Sequence, residues 1–163
     1  MNGIKQSIIL TICSLTLFLG SYGISYGQFG ARFLLEQTRG LNFGTIAPSS
    51  SGGTVTISEE GTVTSTDVTL FSIGARHSAQ FKIIYTGSNL KVTYVRVSQS
   101  SILRGPNGAT MQIINITQPG NVKWNVNPGH STTIFNIGGT LLIGPSAVSG
   151  NYSGTFDVEV AYN

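Results

Sequence analysis

The sequence predicts an all-β protein in which short antiparallel strands form a sandwich or a barrel. Its 21 glycines, with many Ser, Thr and Asn residues, separate short runs in which apolar and polar side chains alternate. No window after residue 27 shows convincing helical periodicity. Many short strands divided by regularly spaced turn residues are typical of antiparallel sandwiches and barrels.

The N-terminal residues have the pattern of a secretory signal peptide. Lys5 precedes an apolar run over residues 8–19, and Ser25 and Gly27 are small residues in the positions of a cleavage site. We therefore expect a signal peptide over residues 1–27 and one domain over residues 28–163. An uncleaved anchor is the alternative, but the apolar run is short for a membrane span. The protein is expected to be exported, to the periplasm, the cell surface or the extracellular space, with no membrane span in the mature chain.

Cysteine and charge content narrow the classes of function. The single cysteine, Cys13, lies in the expected signal peptide, so no disulfide is expected in the mature domain. The formal net charge is +3, and the nine Lys and Arg residues are scattered along the chain. Because no basic cluster forms, nucleic acid is not expected as a partner.

Alternating runs predict the strands in order along the chain. The candidate strands are residues 32–37, 41–46, 54–57, 63–70, 79–85, 91–98, 110–116, 123–125, 132–137, 140–143 and 152–162. In the fifth run, Phe81, Ile83 and Tyr85 share one face. Adjacent Gly138 and Gly139 indicate a tight turn or a bulge that redirects a strand.

The last run is the most regular of them. Residues at even positions, from Tyr152 to Tyr162, are apolar or glycine, whereas the odd positions carry polar or small side chains. Alternation of this kind predicts a half-buried strand. A terminal strand is a loose end unless another strand pairs with it.

Three stretches resemble one bacterial family: Leu-Asn-Phe-Gly-Thr-Ile-Ala-Pro at 41–48, Phe-Asn-Ile-Gly-Gly-Thr-Leu-Leu-Ile-Gly at 135–144, and the alternating run at 150–163. Together they resemble the DUF4402 family, a domain of unknown function found in exported proteins. That family is similar to the spore coat U and chaperone–usher pilin group. The resemblance implies a single immunoglobulin-like antiparallel β-sandwich, similar to a pilin.

The resemblance to pilins extends to individual residues. Pilin subunits end with an alternating strand, a penultimate tyrosine and a glycine fourteen residues from the end; Tyr162 and Gly150 match these positions. The resemblance implies that assembly occurs by strand addition at an open sheet edge. The residues expected to pair or assemble are Gly150, Tyr152, Phe156, Val158, Val160 and Tyr162.

Two departures from pilins leave the assembly mode open. Many pilins have a disulfide, which the mature chain cannot form. In addition, few residues precede the first candidate strand, whereas a donor strand needs about ten residues. Either the first strand is itself the donor, the subunit ends a fibre, or the domain is complete alone. The donor residues would be Phe29, Ala31, Phe33 and Leu35.

Catalytic and metal-binding patterns are weak. His77 and His130 are expected in glycine-containing loops, away from the three or four converging ligands that a metal needs. Asp157 and Glu159 share a strand face and are interpreted as its solvent-exposed side rather than a hydrolytic pair. We therefore expect neither an enzyme nor a cofactor. Trp124 is expected in the core, with stacking on a sugar ligand as the alternative.

The sequence thus predicts a non-enzymatic structural or adhesive subunit that resembles a pilin and assembles by β-strand complementation. Its partners would be other copies or pilin-like subunits, and a periplasmic chaperone. The alternative is a self-contained secreted or surface module that binds a carbohydrate or a protein. A hydrolase built on a sandwich is the third hypothesis.

Overall fold

The computed structural model describes residues 32–87, 92–117, 129–145 and 147–162. Within these ranges the chain forms twelve strands and a short 3₁₀ turn at Pro106–Gly108. The strands are β1 (Arg32–Arg39), β2 (Ile46–Pro48), β3 (Gly53–Ile57), β4 (Val63–Thr66), β5 (Val68–Leu70), β6 (Ala79–Gly87), β7 (Val92–Val97), β8 (Ser101–Arg104), β9 (Thr110–Ile114), β10 (Gly129–Ile137), β11 (Gly139–Ile143) and β12 (Val158–Tyr162).

The strands form four antiparallel sheets. One sheet has the order β1-β6-β10, and a five-stranded sheet has the order β4-β3-β11-β9-β8. Two further pairs are β12-β7 and β2-β5. Each of these pairings is antiparallel. The prediction of an all-β antiparallel protein is confirmed.

One hydrophobic core joins side chains from three of these sheets. Phe81 and Phe135 come from the three-stranded sheet, Val55 and Leu141 from the five-stranded sheet, and Val160 from β12. Along β6, Phe81, Ile83 and Tyr85 are buried, while the residues between them are partly exposed. The alternation predicted for this strand is confirmed, and it places one face of each sheet against the shared core.

Gly138 is the point where the chain passes from one sheet to the other. It separates β10, which pairs with β6, from β11, which pairs with β3. A side chain at this position would meet the backbone carbonyl oxygen of Ile57 well inside contact distance. The predicted redirection of the strand at the two glycines is therefore found, and close backbone approach explains why glycine occupies the first of them.

Several predicted strands have different bounds in the structure. Residues 41–46 do not form a strand: Asn42 makes a single bridge to His77, and β2 begins only at Ile46. The run 63–70 is divided into β4 and β5, because Asp67 adopts a left-handed backbone with φ 55°. The strand predicted at 123–125 lies outside the described residues.

Two further positions differ from expectation. The sequence pattern does not predict β8, since Ser-Ile-Leu-Arg is short and ends directly before the Gly105-Pro106 turn. The prediction of a loop at His130 is wrong, because this residue belongs to β10 and lies opposite Thr86 of β6. Glu59 and Glu60 lie in a turn before Gly61.

The final strand is shorter than the predicted run 152–162. Only Val158–Tyr162 forms a regular strand, and it pairs with β7 of the same chain. The preceding residues follow β8 with only a single bridge, from Ser153 to Arg104. The segment therefore runs first beside β8 and then beside β7. Because these two strands belong to different sheets, the segment forms no regular ladder between Ser153 and Val158.

The expected signal peptide at residues 1–27 lies outside the described residues. Among the helices of the described ranges, none has the length and apolar character needed to cross a membrane.

Candidate functional site

A groove with a volume of about 910 Å³ runs beside the first and last strands. Two stretches of chain outside the long ladders, residues 40–48 and 147–157, contribute most of its lining. His77 and residues of β1, β6, β8, β9, β11 and β12 line the remainder. We call residues 40–48 the first wall and residues 147–157 the second wall.

The floor of the groove consists of core side chains. Phe43, Phe81, Ile113, Leu141 and Ile143 line it, and each is less than a tenth exposed. Partly buried Met111 and Leu103 lie beside them. The groove therefore opens directly onto the hydrophobic core, and an occupant would contact a largely apolar surface.

The second wall is attached to the rest of the fold by a small number of polar contacts. Ser153 exchanges two backbone hydrogen bonds with Arg104 of β8, at 2.7 and 3.0 Å. The Ser101 hydroxyl donates to the Thr155 carbonyl at 2.5 Å. The Tyr152 hydroxyl donates to the Val148 carbonyl at 2.8 Å, within the wall itself. These contacts hold an otherwise mostly exposed segment against the edge of the five-stranded sheet.

The first strand, β1, borders the groove on the side of the first wall. Its Leu35 and Gln37 line the groove, and its backbone pairs with β6 along one edge. Among residues 34–39, only Leu35 is partly buried; the others are exposed. The Glu36 carboxylate lies 3.7 Å from the Lys82 ammonium group, and the Thr38 hydroxyl donates to Gln80. Backbone pairing and exposed polar contacts therefore attach β1 to the sheet more than apolar burial does.

Two strand edges border this groove. In the described part of the chain, β1 pairs only with β6, and β12 pairs only with β7. Leu35 and Gln37 of β1 and Val158 of β12 all line the groove. Each of these two strands therefore has a second edge without a partner among the described strands, and exposed edges of this kind accept additional strands.

The groove has few titratable groups. His77 lines it, and its Nδ1 is buried without a hydrogen-bond partner, while its backbone exchanges two hydrogen bonds with Asn42. Asp157 is exposed in the second wall, whereas Glu159 lies on β12 opposite Arg96. The described ranges contain no group of three His, Cys, Asp or Glu side chains placed to bind a metal ion.

The predicted assembly residues occupy three different positions. Val158 and Val160 are buried on the inner face of β12, and Tyr162 lies opposite Val92 at its end. Tyr152 and Phe156 belong to the second wall, before the strand begins. Gly150 also lies in this wall, against the ring of Pro106. The structure thus brings these residues together along the groove and the final strand, although only some are in the strand.

The predicted donor residues are only partly covered by the structure. On β1, Phe33 lies opposite Tyr85 and Leu35 opposite Ile83. Leu35 packs against the core of its own chain. Phe29, Ala31 and Trp124 lie outside the described residues.

The first wall is a part of the site that the sequence pattern does not reveal. Residues 41–48 resemble a family motif, but the alternation within them predicts a strand. Gly44, which adopts φ 72°, and Pro48 are the available signals that this stretch is not a regular strand. The floor residues of β9 and β11 cannot be assigned to a groove without the sheet order.

This geometry defines a class of protein: an all-β chain of several antiparallel sheets with a groove beside its first and last strands. The chain belongs to the family described as domain of unknown function (DUF4402), whose model matches residues 34–162. The match covers both walls of the groove and all strands from most of β1 to β12. No curated protein and no solved structure shows significant similarity to the chain.

Proposed function

We propose that the chain is an exported, non-enzymatic structural or adhesive subunit that resembles a pilin and assembles by β-strand addition. The observation that carries this proposal is the groove, which opens onto the core beside edges of β1 and β12 that have no partner among the described strands. In the proposed arrangement, the domain is an immunoglobulin-like sandwich. One layer contains β10, β6, β1, β12 and β7, and the five-stranded sheet is the other layer.

A peptide strand suits this groove for two physical reasons. Its backbone would form hydrogen bonds with the edge of β12 that has no partner among the described strands, and with β1 or, where the incoming strand replaces β1, with β6. Its inward side chains, at every second position, would cover floor residues such as Phe43 and Ile113. The hydrogen bonds and the apolar contacts would form together, because a strand that fills the groove also excludes water from the core.

The first strand is the donor that the observations favour. It carries Phe33 and Leu35, which continue the alternation of Phe29 and Ala31 in the sequence, and its side chains at 34 and 36–39 are exposed. In a single chain β1 pairs with its own β6. Exchange of β1 between copies would retain that pairing while linking the chains, as in domain swapping. Before assembly, a periplasmic chaperone would occupy the free edge in the same way.

A pair of engineered cysteines on opposite strands tests this exchange. Glu36 of β1 and Lys82 of β6 are direct antiparallel partners. Opposed Cα atoms of such pairs lie about 4.5–5.5 Å apart, a separation that a disulfide can bridge. In Glu36→Cys/Lys82→Cys, made together with Cys13→Ser, exchanged strands would give a ladder of disulfide-linked chains on a non-reducing gel. Monomers linked only within one chain would contradict the exchange.

A matched control uses a strand pair that exchange would leave within one chain. Thr56 of β3 and Thr140 of β11 are direct partners, and their hydroxyl oxygens lie 2.9 Å apart. Thr56→Cys/Thr140→Cys should form an internal disulfide under the same conditions and give monomers. Ladders from both pairs would indicate nonspecific oxidation, and electron microscopy of the unmodified protein would then decide whether fibres form.

The second candidate is a self-contained module that binds a small ligand, and the groove volume favours it. Ligand sites typically enclose about 300–1,000 Å³, which includes the value found for this groove. A glycan array tests this candidate. Met111→Trp, which would fill part of the groove floor, and Trp124→Ala should both reduce a true ligand signal. Unchanged binding in Met111→Trp would place the ligand outside the groove.

A further inference from the structure

The edge of β10 that faces away from β6 has no partner among the described strands. β10 forms one side of the sheet β1-β6-β10, and its nine residues pair with β6 along their whole length. Its sequence, Gly-His-Ser-Thr-Thr-Ile-Phe-Asn-Ile, contains no proline, lysine, arginine, aspartate or glutamate. Proteins normally protect strand edges with charged side chains, proline or a covering segment. The sequence of β10 therefore does not prevent its edge from pairing with another strand.

The other edge strands of the described ranges differ from β10. The second wall covers part of the edge of β8, where Ser153 exchanges two backbone hydrogen bonds with Arg104. β1, β7 and β12 each carry at least one charged side chain. β2, β4 and β5 have only three or four residues. Among these strands, β10 alone combines the length and the uncharged sequence that favour pairing at an edge.

An exposed apolar side chain lies beside this edge. Ile134 of β10 is 56 % exposed on the outer face of the sheet, where it lies opposite Lys82 of β6. The adjacent residues of β10 on the same face, Thr132 and Asn136, are uncharged. A further strand beside β10 would cover Ile134, and the most favourable residue directly opposite it would be another apolar or β-branched one.

We propose that two copies of this chain pair edge to edge through β10, about a twofold axis beside Ile134. A twofold rotation places a strand antiparallel to its own copy, so the same edge supplies both sides of the interface. In this register Ile134 lies opposite Ile134 of the second copy, and Thr132 lies opposite Asn136 of the second copy. Because β10 carries no Lys, Arg, Asp or Glu, no such charges oppose each other across the axis. Main-chain hydrogen bonds supply the affinity of strand additions of this kind.

Single cysteines test the register, because a residue opposite its own copy can form a disulfide with it. Ile134→Cys, made together with Cys13→Ser, should give disulfide-linked dimers on a non-reducing gel. Thr132→Cys should remain monomeric, whereas Thr132→Cys/Asn136→Cys should again give linked chains. Absence of dimers in Ile134→Cys would overturn the proposal, as would equal dimer yields from Ile134→Cys and Thr132→Cys.

Sedimentation velocity tests the association without a covalent bond. The wild-type protein should dimerise as its concentration rises. Ile134→Glu should weaken dimerisation about tenfold or more, because two carboxylates would then oppose each other, while Lys82 compensates the charge within each chain. An equimolar mixture of Ile134→Glu and Ile134→Lys should dimerise again, since opposite charges would then face each other.

Ile102 provides a matched control, since it is 57 % exposed on β8. Ile102→Glu should dimerise as the wild type does, and all variants should keep the same midpoint of urea unfolding. Equal dimerisation by Ile134→Glu and the wild type would overturn the proposal, as would a monomeric wild type whose β10 pairs with a different peptide. The proposal does not depend on strand addition at the groove, because β1 and β10 lie on opposite sides of β6.

Discussion

The ring of Phe156 meets the ring of Phe81 edge to face, with the ring centroids 6.2 Å apart. Phe81 also stacks on Phe135 of β10, with centroids 5.5 Å apart. These contacts connect the second wall of the groove to the three-stranded sheet. An aromatic cluster therefore links the approach to the last strand with strands from the middle of the chain.

Replacing Phe156 by Ala should lower the free energy of unfolding by about 2 kcal/mol. The substitution removes a partly buried ring and one aromatic contact, so the loss should be smaller than that for a fully buried phenylalanine. Urea unfolding measures the change. Phe71→Ala, at a ring that packs less closely, should change stability by about 0.5 kcal/mol or less. Equal losses in the two variants would show that the contact with Phe81 contributes little.

Gly138 should tolerate no side chain. The Gly138→Ala variant would bring a methyl group against the Ile57 carbonyl and force β3 and β11 apart, so we expect a loss of about 3 kcal/mol or more. Gly144→Ala is the control, because a Cβ at that position would have no neighbouring atom within 4 Å. Thermal unfolding of the two variants should differ clearly. A stable Gly138→Ala protein would mean that the chain can pass between sheets by another route.

Gly150 should be required for packing of the second wall. It adopts φ 151°, and a Cβ there would lie 2.6 Å from Cγ of Pro106. Gly150→Ala should therefore destabilise the protein by about 1–3 kcal/mol. Adding Pro106→Ala removes Cγ and should restore part of the loss, as measured by a double-mutant cycle. Strictly additive losses would show that the clash with Pro106 is not the cause.

The turn after β3 should show a pH-dependent contribution to stability. The Ser58 side chain hydrogen-bonds the Glu60 carboxylate and, together with a backbone hydrogen bond, lowers the pKa of Glu60 below its usual value. A carboxylate with a lowered folded-state pKa stabilises the fold above its unfolded pKa, and this contribution is lost as the pH falls through the folded pKa. In Ser58→Ala, NMR titration should show the pKa of Glu60 moving upward. An unchanged pKa would remove Ser58 as the cause.

The sequence is sufficient to predict strands that have one buried face. The alternation at Phe81, Ile83 and Tyr85 and the buried pair Val158 and Val160 appear directly in the burial of β6 and β12. Period-two alternation reports which side of a sheet faces the core, and this information is local. The redirection at Gly138 is also visible in the sequence, since a pair of glycines within an apolar run is a strong local signal.

The groove cannot be predicted in the same way, because it depends on which strands are neighbours. Leu35 and Val158 line the same groove, although they are distant in sequence and belong to different sheets. The alternation from Tyr152 to Phe156 also predicts a continuous strand. In the structure this segment passes from β8 to β7, which belong to different sheets, so it does not form a continuous ladder. Tertiary pairing overrides a local pattern at these residues.

The inner and outer faces of the last strand should respond very differently to a charge. Val160 is 5 % exposed in the core, whereas the next residue, Ala161, lies on the opposite face across from Tyr94. Val160→Asp would place a carboxylate among apolar side chains, so we expect a loss of about 4 kcal/mol or more and little folded protein. Ala161→Asp should cost about 1 kcal/mol or less and give a normal yield. Comparable yields and urea midpoints for the two variants would show that β12 does not close the core of its own chain.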